Sequence, residues 1–427
     1  MLAPAEADLA RRDTALPGLA TVLDPDAFLD TLGRAAPGRE LGRAEIAYVK
    51  YSPSTYCRVG YRVRVAGAEC HLDVRAGRRE DLASWLEDGN GPTVPGLLGP
   101  GRLVLGESAV LVTVFPNDVK LPQIPKLTDP GLRVSMIRDL LPERPDLWPG
   151  EIRCLRYWPG RRYAAELSAP DGSRALLKAY TRNGYRRARR SAEVFRSRGP
   201  LRVARLLGRS DTHRLLAFEW LPGRMLSSFL APEIDRVAIT ATGAALAALH
   251  AQPPGALPHW KRADETAYLF SLAREIGFVA PRLSALADDL ARGLAAWLAI
   301  APDVRSPVHS DFSDAQVLID GHRAAIVDLD SALCGDPADD LGSLFAQAEL
   351  HALSGRLSRH DVETMRSAFL EGYGQTASAV PVERIGPYTA SGLLRRTRFA
   401  FRARRPDWQV ITEAALERAE AILNTEG

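Results

Sequence analysis

Cysteine and lysine are both scarce in this chain of 427 residues. The four cysteines, Cys57, Cys70, Cys154 and Cys334, stand far apart, and none forms a CxxC or any other metal-binding spacing. That excludes a disulfide scaffold and predicts a reducing, cytoplasmic setting. Long apolar runs are also missing. No stretch approaches the roughly 18 uninterrupted apolar residues of a membrane span, so no membrane association is expected. Met1–Glu6 carries an early acid and no apolar core follows it, so no secretory leader is expected. Excess charge is lacking too: 55 Lys+Arg against 52 Asp+Glu leave a net charge of +3, which gives no general drive toward nucleic acid. Only Lys50, Lys120, Lys126, Lys178 and Lys261 are lysine and the other basic residues are arginine, which makes each lysine position informative. What is present, 46% hydrophobic and 25% charged residues, is ordinary for a globular protein.

Along the chain, residues 1–25 read as a loosely held lead-in. A short helix is expected within 26–45, started by Asp24-Pro25-Asp26. Strands follow over Ile46–Val49, Tyr56–Val65 and Glu69–Val74, then a helical pattern at Arg79–Glu87. A hairpin is expected over Arg102–Phe115. Pro116–Pro130 reads as a linker or strap. A second group of three strands is expected at Arg153–Tyr157, Arg162–Ala169 and Arg174–Tyr180, with Asp171-Gly172 turning the last pair. A helix over Arg186–Arg198 and a strand over Leu215–Trp220 come next. After Leu226 the pattern is mainly helical except for 305–335. Lys50-Tyr51-Ser52-Pro53 and Arg156-Tyr157-Trp158-Pro159 occupy like positions, so residues 46–80 read as a degenerate copy of 152–185, with Asp73 near the place of Lys178. Coincidence between two β-meanders is the alternative.

The densest polar segment is His309-Ser310-Asp311-Phe312-Ser313-Asp314-Ala315-Gln316, followed by Ile326-Val327-Asp328-Leu329-Asp330. Apolar runs beside each predict two short buried strands. These would place Gln316 and Asp328 at adjacent strand ends, beside the loop holding Asp311. Acids at the rim of a hydrophobic hairpin are costly unless they bind something cationic. Carboxylates and an amide oxygen are hard ligands that suit Mg²⁺. Phosphoryl transfer from ATP uses such a set: a carboxylate that orients and deprotonates the attacking hydroxyl, metal ligands, and a lysine held by a glutamate. Lys178, ending a strand, and Glu193, on the next helix, supply the last pair.

These residues together resemble the aminoglycoside phosphotransferase/choline kinase-like family of small-molecule kinases over about 150–375. The family's H-x-D loop, with an amide residue five positions later, is matched by His309, Asp311 and Gln316. Its second metal acid is matched by Asp328, and its G-D-P-x-x-D-L segment by Gly335, Asp336, Pro337, Asp340 and Leu341. Leu246-Ala247-Ala248-Leu249-His250 looks like its L-x-x-L-H helix, and Phe218-Glu219-Trp220-Leu221-Pro222-Gly223 like its hinge. Gln316 departs from the family's Asn, as in maltokinase-like members. No G-x-G-x-x-G loop precedes Lys178; Trp158-Pro159-Gly160-Arg161-Arg162 stands there, which argues against a protein kinase. Arg161 and Arg162 read equally as phosphate contacts or as solvated strand residues.

The resemblance implies a bilobal protein-kinase-like α+β fold. Residues 146–225 would form the β-rich lobe and 226–427 the helical lobe. Residues 1–145 would be an extra N-terminal α+β domain, read above as a degenerate lobe. It implies Asp311 as catalytic base, Gln316 and Asp328 as Mg ligands, and Lys178 with Glu193 at the α/β-phosphates of ATP. Backbone groups of Glu219, Trp220 and Leu221 would hold adenine. His309 would brace its loop, and Asp336 would cap a helix ahead of Pro337. Asp330 stays open between a metal contact and a role orienting the Asp328 loop. Asp314 is a candidate for the acceptor, and Asp339 reads as a solvated helix residue. The acceptor would be the hydroxyl of a sugar, aminoglycoside or amino alcohol. A catalytically weak nucleotide-binding regulator is the alternative. The basic stretch Arg395–Arg405 reads as a solvated helix face, a lid for an anionic substrate or a nucleic-acid surface, the last least favoured.

Overall fold

The computed structural model describes residues 2–88, 93–231, 233–376 and 382–426. In chain order, α1 (Pro4–Arg12), α2 (Leu19–Leu23) and α3 (Pro25–Ala35) precede β1 (Leu41–Ser52), β2 (Tyr56–Val65) and β3 (Ala68–Gly77). Helix α4 (Asp81–Asp88), the hairpin β4 (Arg102–Leu105) and β5 (Val110–Val114), and helices α5 (Ile124–Thr128) and α6 (Pro130–Leu140) follow. Then come β6 (Glu151–Trp158), β7 (Arg162–Ser168), β8 (Arg174–Tyr180), α7 (Arg182–Val194), β9 (Leu201–Arg202), β10 (Leu206–Ser210), β11 (Leu215–Glu219) and β12 (Arg224–Met225). Three long helices succeed them: α8 (Arg236–His250), α9 (Arg262–Val279) and α10 (Ser284–Ile300). Short strands β13 (Ser306–Val308), β14 (Val317–Asp320), β15 (Arg323–Ile326) and β16 (Leu333–Gly335) lead to α11 (Pro337–Leu353), α12 (Arg359–Gly374), α13 (Val382–Arg402) and α14 (Trp408–Glu426). The class is mixed α+β, as expected.

Two compact units result. One holds Met1–Arg182, Gly208–Ala217 and Arg402–Pro406; the other holds the remainder. Residues 1–145 and 146–182 therefore share one unit. Two five-stranded sheets have the same strand order, β1-β2-β3-β5-β4 and β6-β7-β8-β11-β10, and a helix follows the third strand in each. Strand β2 shows why the first sheet forms: Cys57, Val59, Tyr61, Val63 and Val65 are buried, while Arg62 and Arg64 point to solvent. Register corrects one expectation from spacing. Arg58 pairs with Arg75 where Ala164 pairs with Lys178, so Arg75, not Asp73, stands at the lysine's place. Arg75 lies 3.6 Å over the Trp85 ring.

The lead-in is not loose. Leu9, Leu16, Leu19, Val22 and Leu23 are fully buried, and Arg404 ties it down through Glu6 and the Leu23 carbonyl at 3.0 Å. Helix α3 starts where expected, with the Asp24 side chain accepting from the Asp26 and Ala27 amides. The 116–130 strap contains helix α5.

In the second unit, α8 and α12 approach closely through glycine. A Cβ at Gly243 would lie 2.1 Å from the Phe369 carbonyl oxygen, and one at Gly372 would lie 1.9 Å from that of Thr240. No side chain fits there without moving backbone. We expect Gly372→Ala to lower the unfolding free energy by about 1–3 kcal/mol in urea titrations. Gly374→Ala, which meets nothing within 4 Å, should leave the midpoint unchanged or slightly raised.

Candidate active site

The site is built on the β14–β15 hairpin, registered Val317↔Ile326 through Asp320↔Arg323. Val317, Ile319, Ala324 and Ile326 are buried, which anchors it, and Gly321 at φ +60° turns it. At its open end the Val327 amide donates to the Gln316 carbonyl at 2.9 Å. Gln316 and Asp328 thus sit at neighbouring strand ends. The His309 ring also reaches this end: Nε2 is 2.9 Å from the Val327 carbonyl, a contact that needs the proton on Nε2. The Ser310 hydroxyl donates to the Ser331 carbonyl at 2.8 Å. The segment preceding Asp311 and the segment carrying Asp328 are therefore stitched together.

Asp340 fixes the loop from below. Its fully buried carboxylate accepts the His309 amide at 2.7 Å and the Ser310 amide at 2.8 Å. His250 Nε2 lies 3.0 Å from the same group, and His250 Nδ1 lies 2.8 Å from the Tyr373 hydroxyl. Ser310 and Asp328 both hold left-handed backbone at φ +64°. For a non-glycine residue that conformation costs about 1–2 kcal/mol. Such strain persists only where surrounding contacts enforce it, and it concentrates at functional sites. Asp311 leaves this braced loop as an exposed carboxylate.

Phe312, fully buried, is gripped through its carbonyl. The Ser343 hydroxyl donates to it at 2.7 Å, and Arg396 Nη2 donates to the Ser343 Oγ at 2.8 Å. Burial pulls the Arg396 guanidinium down to about 10, opposed by the nearby Asp311 charge. Asp314, the candidate for the acceptor, faces inward and pairs with His351 at 2.9 Å. Gln316 is half-buried, and its Oε1 accepts the Ser313 hydroxyl. One lone pair of that oxygen is thereby used and the other remains. Asp336 caps α11 at the Ala338 amide, 3.0 Å away, and also binds Arg384 Nε at 2.9 Å.

Two expectations are corrected here. Asp339 is not solvated: Arg395 lies between Glu265 at 2.7 Å and Asp339 at 3.0 Å. Burial pushes Asp339 up to about 6, with the Arg395 charge opposing and the Glu265 carboxylate adding to the rise. The arginines of α13 are likewise no free basic face, since Arg395 and Arg396 are engaged inside the unit and Arg398 donates to the Tyr268 hydroxyl at 2.5 Å. Phe399 on the same helix is exposed.

The remaining candidates fall as follows. Lys178 is buried on β8 in the first unit. Glu193 is on α7 in the second, with Arg189 Nε 3.6 Å away. The Glu219 amide donates to the Arg205 carbonyl at 2.8 Å, so its N–H is already engaged, while Trp220 and Leu221 follow on the chain. Among the described residues no group of three or more His, Cys, Asp or Glu is placed to hold a metal. A divalent ion at Gln316 and Asp328 would therefore complete its shell from phosphate and water oxygens, the usual manner for Mg²⁺. The roles of Asp340, His351 and Arg396 were not read from the sequence. His250 and Asp340 were visible only as motif positions, and Arg396 was one arginine in a run.

The model of the phosphotransferase enzyme family (APH) matches residues 160–384, more than half of the chain. No curated protein sequence matches. Among solved structures, a choline/ethanolamine kinase family protein from Mesorhizobium loti is 18% identical, covering 68% of this chain and 94% of its own, with a TM-score of 0.46. A Plasmodium vivax ethanolamine kinase is 10% identical over 70% of this chain and 91% of its own, with a TM-score of 0.46. A thermostable mutant of aminoglycoside phosphotransferase APH(4)-Ia, in ternary complex with AMP-PNP and hygromycin B, is 18% identical over 64% and 93%, with a TM-score of 0.46. The chain belongs to the phosphotransferase enzyme family.

Proposed function

We propose that the protein transfers the γ-phosphoryl group of ATP, with Mg²⁺, to a hydroxyl of a sugar, aminoglycoside or amino alcohol. One observation carries the reading: the exposed Asp311 carboxylate stands on a loop whose preceding backbone is fastened by the buried Asp340 and strained at Ser310. A carboxylate so placed can accept the proton of an incoming hydroxyl and aim its oxygen. Gln316 and Asp328 would hold the ion, which when bound neutralises charge on the phosphate oxygens. Lys178, braced by Glu193, would sit at the α/β-phosphates. Because the Glu219 amide is engaged by Arg205, an adenine edge would use the Glu219 carbonyl and the Leu221 amide.

A second reading, a nucleotide-binding regulator with little turnover, rests on the Ser313 hydroxyl that occupies the Gln316 oxygen. Asp311→Asn separates the two. With ATP consumption screened over sugars, aminoglycosides and amino alcohols, the variant should lose about 10²-fold or more in transfer while binding Mg·ATP as before. Unchanged slow turnover in that variant would favour the regulator. Lys178→Ala should weaken Mg·ATP binding about tenfold or more. Arg75→Ala, at the same register of the first sheet, should not change it. Equal loss from both would mean that the wrong sheet has been assigned the nucleotide.

A further inference from the structure

The loop between β6 and β7 holds the place of the missing glycine loop, and its backbone is tethered. Gly160, at φ +63°, donates its amide to Asp118 Oδ2 at 2.6 Å, and the Tyr157 hydroxyl donates to the same oxygen at 2.9 Å. Asp118 Oδ1 accepts the Lys120 amide at 2.9 Å and the Leu121 amide at 3.2 Å. The carboxylate is buried and receives four donors. Arg58 bonds Asp73 with two nitrogens, Nε at 2.6 Å, and a Cβ on Gly160 would collide with this guanidinium at 2.0 Å. Glycine is thus required at 160 both by backbone angle and by the arginine against it. A Cβ on Gly60 would lie 3.9 Å from the Pro159 ring. Arg58, Asp73 and Asp118 all belong to the first 145 residues. The loop they hold stands where the segment matched by the family begins, at Gly160.

The first sheet repeats the device. The loop between β1 and β2 has a left-handed residue at the same place, Ser54 at φ +54°. Its amide donates to Asp13 Oδ2 at 2.9 Å, and the Tyr51 hydroxyl donates to the same oxygen. Tyr51 pairs with Cys57 as Tyr157 pairs with Tyr163. The two tethers differ in completeness. Asp13 Oδ1 is buried with no hydrogen-bond partner, whereas both oxygens of Asp118 are satisfied.

We infer that Asp118 is a positioning residue for the nucleotide: it fixes the Trp158–Arg162 loop in the conformation that meets the phosphates, and the N-terminal residues are thereby part of the nucleotide site. The inference rests on the phosphotransferase reading above. An asparagine at 118 would turn a donor toward one of the two pairs of N–H and O–H groups the carboxylate now accepts, and the loop would loosen. At 13 both donors fall on one oxygen, which an asparagine would keep, so alanine is the change that frees that loop, on a sheet that has Arg75, stacked on Trp85, in place of the lysine.

Isothermal titration of the full-length chain with Mg·AMP-PNP tests this, beside thermal melting without nucleotide. We expect Asp118→Asn to weaken binding about tenfold and Tyr157→Phe, which deletes one hydroxyl, about threefold. Asp13→Ala, which removes the equivalent tether, should lose comparable thermal stability and bind within about twofold of the unmodified protein. If Asp118→Asn does not fold, Tyr157→Phe against Tyr51→Phe decides in the same way. Unaltered affinity in the folded 118 and 157 variants overturns the inference. Equal weakening by the 13 and 118 variants also overturns it, because the effect would then follow stability alone. Failure of the unmodified protein to bind Mg·AMP-PNP would instead sink the phosphotransferase reading, and this inference with it.

Discussion

The segment leading to Asp311 depends on one buried charge. The Asp340 carboxylate is removed from water, and an isolated ion there would cost several kcal/mol. It is tolerated because His309, Ser310 and His250 all point donors or ring nitrogens at it. Hydrogen bonds to a charged group contribute about 1.5–3 kcal/mol each. That is enough to hold Ser310 in left-handed backbone. The helix pair beneath is shaped for the same purpose. Gly243 and Gly372 let α8 and α12 touch backbone to backbone, which brings the Tyr373 hydroxyl to His250 and orients that ring toward Asp340. A packing requirement between two helices is thereby transmitted through a tyrosine, a histidine and an aspartate to the backbone immediately before Asp311.

The same solution serves three loops among the described residues. Asp340 holds the segment before Asp311, Asp118 the β6–β7 loop and Asp13 the β1–β2 loop, each by accepting backbone amide donors into a buried carboxylate. Amides next to left-handed residues turn away from the regular ladder and need acceptors. A carboxylate supplies up to four acceptor positions in one small group, which no hydroxyl or amide does. Its charge makes the arrangement exacting: with any donor removed, the remaining charge is under-solvated. The tethered loops therefore favour one conformation strongly.

Much of this was legible in the sequence where local chemistry decides the outcome. Asp24 and Asp336 before proline announce their helices, Asp171-Gly172 turns its hairpin with Gly172 at φ +88°, and the apolar runs around 317–326 fix a strand pair whose end must collect Gln316 and Asp328. Where partners are distant, the sequence was silent. Arg396 lies 84 residues from Phe312, whose carbonyl it reaches at 3.4 Å, and nothing distinguishes it from its arginine neighbours along the chain. Asp339 looked solvated because its cation, Arg395, is on another helix. The exchange of Arg75 for Asp73 has a geometric origin. The first hairpin has ten-residue strands closed by Ala66-Gly67, the second seven-residue strands and a longer turn, so equal spacing along the chain does not give equal register.

The rarity of lysine gives that register its weight. Arginine serves most cationic roles in this chain, including a buried one at Arg396 and a half-buried one at Arg395, because a planar guanidinium satisfies several oxygens at once and is weakly hydrated. A buried lysine has no such advantage. Its compact ammonium is costly to desolvate and acts as a point charge. Lys178 is nonetheless buried on the third strand of the second sheet, while the first sheet puts Arg75 there and stacks it on Trp85. Composition alone would favour arginine at both places. That the second position is a lysine argues for a requirement a stacked guanidinium does not meet, and a compact cation addressing phosphate oxygens is such a requirement.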